Sequence, residues 1–194
     1  MPASAAPNAA CVDPLTALLM DVQLKVVSAS PPITPHGAFR FLTLPFDAKT
    51  NVDVTRALHE LPPFNSDFES ENVPAAVTAW RAELAEARAV VFATPEYAFG
   101  IAGALKNSLD WVVGSGELVG KPVFLIGAST MGSGASYALE ALERTLKVMS
   151  SEVLGTLGIA HVRAKLDADG RVTEAGTSEA LEAMATKIVD RLTA

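Results

Sequence analysis

Two short apolar runs constrain this fold most: Ala89-Val90-Val91-Phe92-Ala93-Thr94, and Lys121-Pro122-Val123-Phe124-Leu125-Ile126-Gly127. Neither alternates between apolar and polar, so neither suits a strand with one wet face. Continuous runs of this length read as strands buried on both sides, the habit of parallel sheets. Pro122 is tolerable near the first residue of its strand. Between and around them the spacing is helical. Val77, Trp80, Leu84 and Ala87 share one face after Pro74, a residue that suits a helix start. Leu105, Leu109, Val112 and Val113 mark a helix over 102–113, broken by Gly114, Gly116 and Gly120. Leu139, Leu142, Leu146 and Met149 mark another over 137–149. Val153 to Val162 reads as a further strand region and Glu179 to Leu192 as a closing helix. Strands alternating with helices predict an α/β domain with a doubly wound parallel sheet in three layers, α/β/α. Right-handed crossovers put every strand's C-terminal end on one edge, where ligands bind. The segments after Thr94 and after Ala128 both leave that edge.

The bulk numbers narrow the function. The 194 residues fit one domain, within the ~100–200 residues usual for one. We expect residues 1–12 to be a disordered tail and 13–194 a single domain, with 13–50 atypical. The 15 Lys+Arg against 22 Asp+Glu give a net charge of −7, which disfavours nucleic acid and anionic lipid as partners. Cys11 is the one cysteine, so the chain forms no internal disulfide and no cysteine-based metal site. His36, His59 and His161 lack metal-ligand spacing. No run reaches the ~18 apolar residues of a membrane span, and no basic segment opens a secretory signal. The expectation is a cytoplasmic protein.

The segment Thr94-Pro95-Glu96-Tyr97-Ala98-Phe99-Gly100-Ile101-Ala102-Gly103-Ala104-Leu105-Lys106-Asn107-Ser108-Leu109-Asp110-Trp111 resembles the signature of NAD(P)H-dependent FMN reductases and related quinone or chromate reductases. Their pattern reads P-E-Y-N-x-S-x-P-G-x-L-K-N-x-x-D-W. The chain matches at nine positions, Pro95, Glu96, Tyr97, Gly103, Leu105, Lys106, Asn107, Asp110 and Trp111. It departs at Ala98 (Asn in the pattern), Gly100 (Ser) and Ala102 (Pro). Ser129-Thr130-Met131-Gly132-Ser133-Gly134-Ala135 resembles the same family's second cofactor loop, and Leu61-Pro62-Pro63-Phe64-Asn65-Ser66-Asp67-Phe68-Glu69 its structural L-P-x-F-N-x-D-x-E stretch. The resemblance implies a flavodoxin-like fold and an FMN-dependent oxidoreductase. Hydride would pass from NAD(P)H to the flavin and on to free flavin, a quinone or another small acceptor. It implies a flavin slot formed by Thr94, Pro95, Glu96, Tyr97 and Ala98 with Ser129, Gly132, Ser133 and Gly134. It names no catalytic side chain. It also implies a homodimer or homotetramer joined through the 102–113 helix, with Lys106 and Asp110 either bridging subunits or pairing in solvent.

The physical demands agree. A flat ring with an amide-like edge needs backbone N–H and C=O groups in fixed directions. Glycine lets a backbone approach such a ring closely. The helix N-terminus after Ala135 offers donors to an electron-rich edge or a phosphate.

The first fifty residues lack the family's G-S-x-R-x-x-S-x-N phosphate loop. In one reading Leu24 to Ser30 is the first strand, followed by Pro31, Pro32 and Pro35, which have no N–H for an anion. In the other, Asp13-Pro14 starts a helix over Leu15–Val27, and Ala38 to Leu44 is a strand. The helix start signals favour the second. A rearranged coding segment is a third reading. The missing motif also keeps a rival function open: a flavodoxin-like scaffold or interaction protein that has lost FMN-phosphate binding.

Overall fold

The computed structural model describes residues 23–28, 51–55, 58–167 and 172–193. Strand β1 (Gln23–Ser28) replaces the C-terminal end, Gln23–Val27, of the helix expected over Leu15–Val27, the rest of which lies outside the described residues. It pairs in parallel with β2 (Asn51–Thr55) from Gln23↔Asn51 to Val27↔Thr55. On its other side it pairs with β3 (Ala89–Tyr97) from Leu24↔Ala89 to Ser28↔Ala93. The reason is tertiary. A local cap and a proline at Asp13-Pro14 favour a helix by about 1 kcal/mol. A strand with a neighbour on each side satisfies both of its backbone edges. The tail expected over 1–12, Asp13-Pro14, and the strand expected over Ala38–Leu44 lie outside the described residues, as does the segment leaving β1.

Among the described residues the main sheet runs β2-β1-β3-β5-β6, with β5 at Pro122–Ala128 and β6 at Glu152–Ile159. These five strands are all parallel. The two-residue β4 (Gly100–Ile101) pairs antiparallel with the end of β3. With β4 set aside, the order is 2-1-3-4-5, the flavodoxin-like arrangement, whose ligand crevice opens where β1 and β3 part.

The buried runs behave as expected: residues 89–95 of β3 and all of β5 are buried. Successive side chains feed opposite layers, as strand pleating requires. Val90, Phe92, Val123 and Leu125 pack with helices α1 (Ala75–Glu86), α2 (Gly103–Asp110) and α3 (Ser136–Val148), through Trp80, Leu84, Leu105, Leu109, Leu142 and Leu146. Ala89, Val91, Phe124 and Ile126 pack with α4 (Ala175–Thr193), through Leu181, Met184, Ile188 and Leu192.

Two helix ends differ from the periodicity. The helix expected over 102–113 stops at Asp110 and gives way to turns. The closing helix begins at Ala175 rather than Glu179, because Glu174 supplies its cap. The Glu174 carboxylate accepts from Thr177 N–H at 2.8 Å and Thr177 Oγ at 2.5 Å. These Thr177 bonds, with the nearby Lys165 charge, hold its pKa below the usual 4.5. A depressed carboxylate contributes stability that is complete above its unfolded value and is lost as pH falls through the folded one. Glu174→Gln should therefore cost stability near neutrality, and the gap from wild type should close as the solution is acidified below about pH 4.5. Denaturant titrations across that range check it.

At the other end of the sheet, Lys121 Nζ donates to the Leu84, Ala85 and Ala87 carbonyls at 2.8, 3.0 and 2.6 Å, closing the C-terminus of α1. Burial lowers its pKa, with Glu117 opposing. The three carbonyl contacts are those of a retained ammonium.

The L-P-P-F stretch is bound to α2 by residues of the resembled signature. Asn107 Oδ1 accepts Phe64 N–H at 2.8 Å, and Asn107 Nδ2 donates to Pro62 O at 2.9 Å. Trp111 Nε1 donates to the same carbonyl at 2.8 Å, and its ring meets Phe64 edge-on at 5.1 Å. Asn107 and Trp111 are thus structural. Lys106 and Asp110 pair with each other at 2.5 Å on an exposed flank of α2, a bond worth only tenths of a kcal/mol.

Candidate flavin-binding site

The first loop is more regular than its sequence suggests. Pro95 does not end β3. The strand continues through Glu96 and Tyr97, which find antiparallel partners in Ile101 and Gly100. Among the described residues the pairing with β1 runs to Ala93, and beyond it β3 pairs with β5 and the returning β4. The expectation of an irregular loop after Thr94 is corrected to a two-residue hairpin. Its central residues, Ala98 and Phe99, both have positive φ, at 49° and 57°. That is the type I′ geometry that matches strand twist and usually takes Asn-Gly.

Left-handed backbone costs an ordinary L-residue roughly 1–2 kcal/mol, and asparagine tolerates it best after glycine. Ala98→Asn restores the residue type of the resembled signature. It should raise the unfolding free energy by about 0.5–1 kcal/mol, read as a rise in midpoint at constant slope in urea unfolding.

Thr94 is fully buried, its hydroxyl donating to Pro95 O at 2.9 Å, and Pro95 is buried beside it. The exposed part of the hairpin is aromatic. Tyr97 is 59% exposed and Phe99 73%. The Phe99 ring stands edge-on to Tyr137 at 5.0 Å. Neither Phe99 nor Tyr137 was marked by the sequence, since neither falls on a signature position.

The second loop is stitched to the end of β6. Ser129 N–H donates to Ile159 O at 3.0 Å, Val162 N–H to Ser129 O at 3.0 Å, and His161 N–H to Met131 O at 3.2 Å. Ser129 Oγ accepts Met131 N–H within its own turn at 3.0 Å. The loop lies on the sheet because Gly158 has no side chain. A Cβ there would meet Gly134 O at 2.7 Å. Gly132 and Ser133 edge a groove shared with Leu139, Glu140, Thr156 and Gly158.

The two loops meet through Glu96. Its Oε1 accepts the Ser133 hydroxyl at 2.8 Å, and its Oε2 accepts Tyr137 and Ala138 N–H at 2.9 and 3.2 Å. The N-terminus of α3, expected to offer donors to a ligand, is thus engaged by the protein's own carboxylate. Its N-cap is Ala135, at φ 64°, whose side chain has no oxygen to accept with.

The donor set is neutral. Residues 94–101 and 129–137 contain no Lys or Arg, and they present backbone groups, hydroxyls and aromatic faces. That suits an uncharged planar heterocycle, the ring of a flavin, better than a phosphate. Among the described residues no group of three or more His, Cys, Asp or Glu assembles to hold a metal. Nor is any helix there long and apolar enough to cross a membrane.

Comparison with known proteins points the same way. Residues 40–163 match the family described as NADPH-dependent FMN reductase, a span containing both loops. The chain is 32% identical over 126 residues to an NAD(P)H-dependent FMN reductase of Pseudomonas aeruginosa, covering 63% of this chain and 68% of that one. It is 28% identical over 127 residues to a 2-hydroxy-1,4-benzoquinone reductase of a Burkholderia species, covering 63% and 69%. Among solved structures it superposes on FerB, a flavoenzyme NAD(P)H:(acceptor) oxidoreductase of Paracoccus denitrificans. The TM-score is 0.70 at 25% identity, over 87% of this chain and 96% of that one.

Proposed function

The chain belongs to the NADPH-dependent FMN reductase family, and from that premise we infer an FMN-dependent oxidoreductase that carries reducing equivalents from NAD(P)H to a small acceptor of the quinone type. The observation that carries this reading is the Glu96–Ser133 junction, which joins the two signature loops at the C-terminal edge of β3 and β5.

In this reading the backbone of Glu96 to Ala98 meets the pyrimidine edge of the ring. Tyr97 walls one side, and Gly132 to Gly134 allow the second loop to approach without side-chain bulk. Thr94 and Pro95, both buried, support the hairpin from below, and Ser129 anchors the second loop to β6. When bound, FMN would supply the chemistry, hydride acceptance from NAD(P)H and two-electron reduction of the acceptor. The chain's own residues position the reactants, and no side chain need move a proton. We extend the reading to a single flavodoxin-like domain over 13–194, cytoplasmic and assembled as a homodimer or homotetramer through α2 and the turn that follows it, where exposed Val113 supports a contact.

The purified chain, or the chain given FMN and desalted, should show bound flavin absorbance that bleaches under NAD(P)H without oxygen and returns on adding a benzoquinone. A colourless protein that also fails to retain added FMN overturns the proposal. The Tyr97→Ala variant should release FMN about two- to tenfold faster, since ring stacking contributes ~0.5–1.5 kcal/mol.

A further inference from the structure

Glu96 lies within the signature, yet its carboxylate faces the protein. Its three donors are one hydroxyl and the second and third N–H groups of α3. Those two N–H groups are what an N-cap Ser or Asp would accept from its own position. Ala135 holds that position and cannot do so. Glu96 caps the helix from 41 residues away.

A second contact joins the same parts: Phe99, across the turn, packs against Tyr137 in the first turn of α3. The hairpin between these contacts holds two non-glycine residues at positive φ. Such backbone persists only where its surroundings over-determine it. On a strand successive side chains face opposite ways, so fixing Glu96 toward α3 also fixes Tyr97 away from it, toward solvent.

We propose that Glu96 is a positioning residue: its carboxylate, held in the N-terminus of α3, sets the pose of the strained hairpin and of the Ser129–Ala135 loop. Through them it sets the residence time of the flavin. This rests on the flavin-binding reading above. The helix N-terminus then serves as an internal anion site filled by the chain itself.

The test uses the full-length protein. Glu96→Ala should lose FMN about tenfold faster than wild type, since a charge-assisted hydrogen bond is worth at least that factor. Sodium acetate should slow the loss toward the wild-type rate, where sodium chloride at equal ionic strength should not. Glu96→Gln keeps an acceptor for the two N–H groups and should fall between. A purely structural lesion would respond to neither the acetate nor the glutamine. Equal release rates in Glu96→Ala and wild type, or no selective acetate effect, would overturn the proposal. If wild type retains no FMN, the functional reading fails, and thermal melting decides this one. An acetate-dependent rise in the melting temperature of Glu96→Ala, absent from wild type, upholds the internal anion site. No such rise refutes it.

Discussion

Replacing Trp111 with alanine is expected to lower the unfolding free energy by about 3–5 kcal/mol, the range for deleting a large buried aromatic. Trp111 is fully buried and packs with both Phe64 and the α1–α2 layer. Its indole N–H donates to Pro62 O, so truncation removes apolar area, an aromatic contact and one hydrogen bond together. Its own carbonyl is a further hub, accepting from Arg81 Nε and Nη2 at 3.1 and 2.8 Å. Urea unfolding should show the whole loss as a lower midpoint. Trp111→Phe keeps most of the area and should recover more than half of it. A loss below about 1 kcal/mol in Trp111→Ala would mean that this layer contributes little to stability.

The second large effect is expected at Asn107, where direction matters as well as size. One amide accepts Phe64 N–H and donates to Pro62 O. Asn107→Asp keeps the shape and the accepting oxygen but turns the donor into a second acceptor facing a carbonyl. At pH 7 this should cost about 1–3 kcal/mol, the penalty for an unmatched partly buried group. When protonated, the aspartate donates to Pro62 O again. The fold therefore raises its pKa, and the stability tied to the proton is present at low pH and lost as pH rises through the folded value. The variant should begin to approach wild type as the pH falls through its raised folded value and should complete the recovery below ~3.9, the ordinary aspartate pKa; a deficit that stays constant down to that pH would refute the pairing. Because Trp111 shares the Pro62 carbonyl, the two variants should combine non-additively.

Much of this architecture was legible in advance. The runs at 89–94 and 121–127 announced central strands because burial on both faces leaves no polar positions in them. The periodicities at 77–87 and 137–149 announced the covering helices because each buries one stripe. Both candidate loops fell on the expected edge for the same topological reason. The errors were physical as well. At Asp13-Pro14 the local helix signals are sound, but pairing with β2 and β3 makes Gln23–Ser28 a strand. Pro95 looks like a strand terminator, yet β3 runs on through Glu96 and Tyr97, because the returning β4 gives those two residues partners. The last helix begins four residues early because Glu174, a charged residue outside any apolar stripe, caps it.

What the chain declares by itself is whatever local composition controls: which segments are buried strands, which faces of its helices are apolar, and which family its loops resemble. The tertiary structure alone decided how those loops are used. The Glu96 carboxylate and the first turn of α3 are brought together only after two strands and a helix have packed, and no residue near either one encodes the other. Apolar burial leaves a periodic trace in sequence, whereas a hydrogen bond closed across 41 positions leaves none until the backbone has folded.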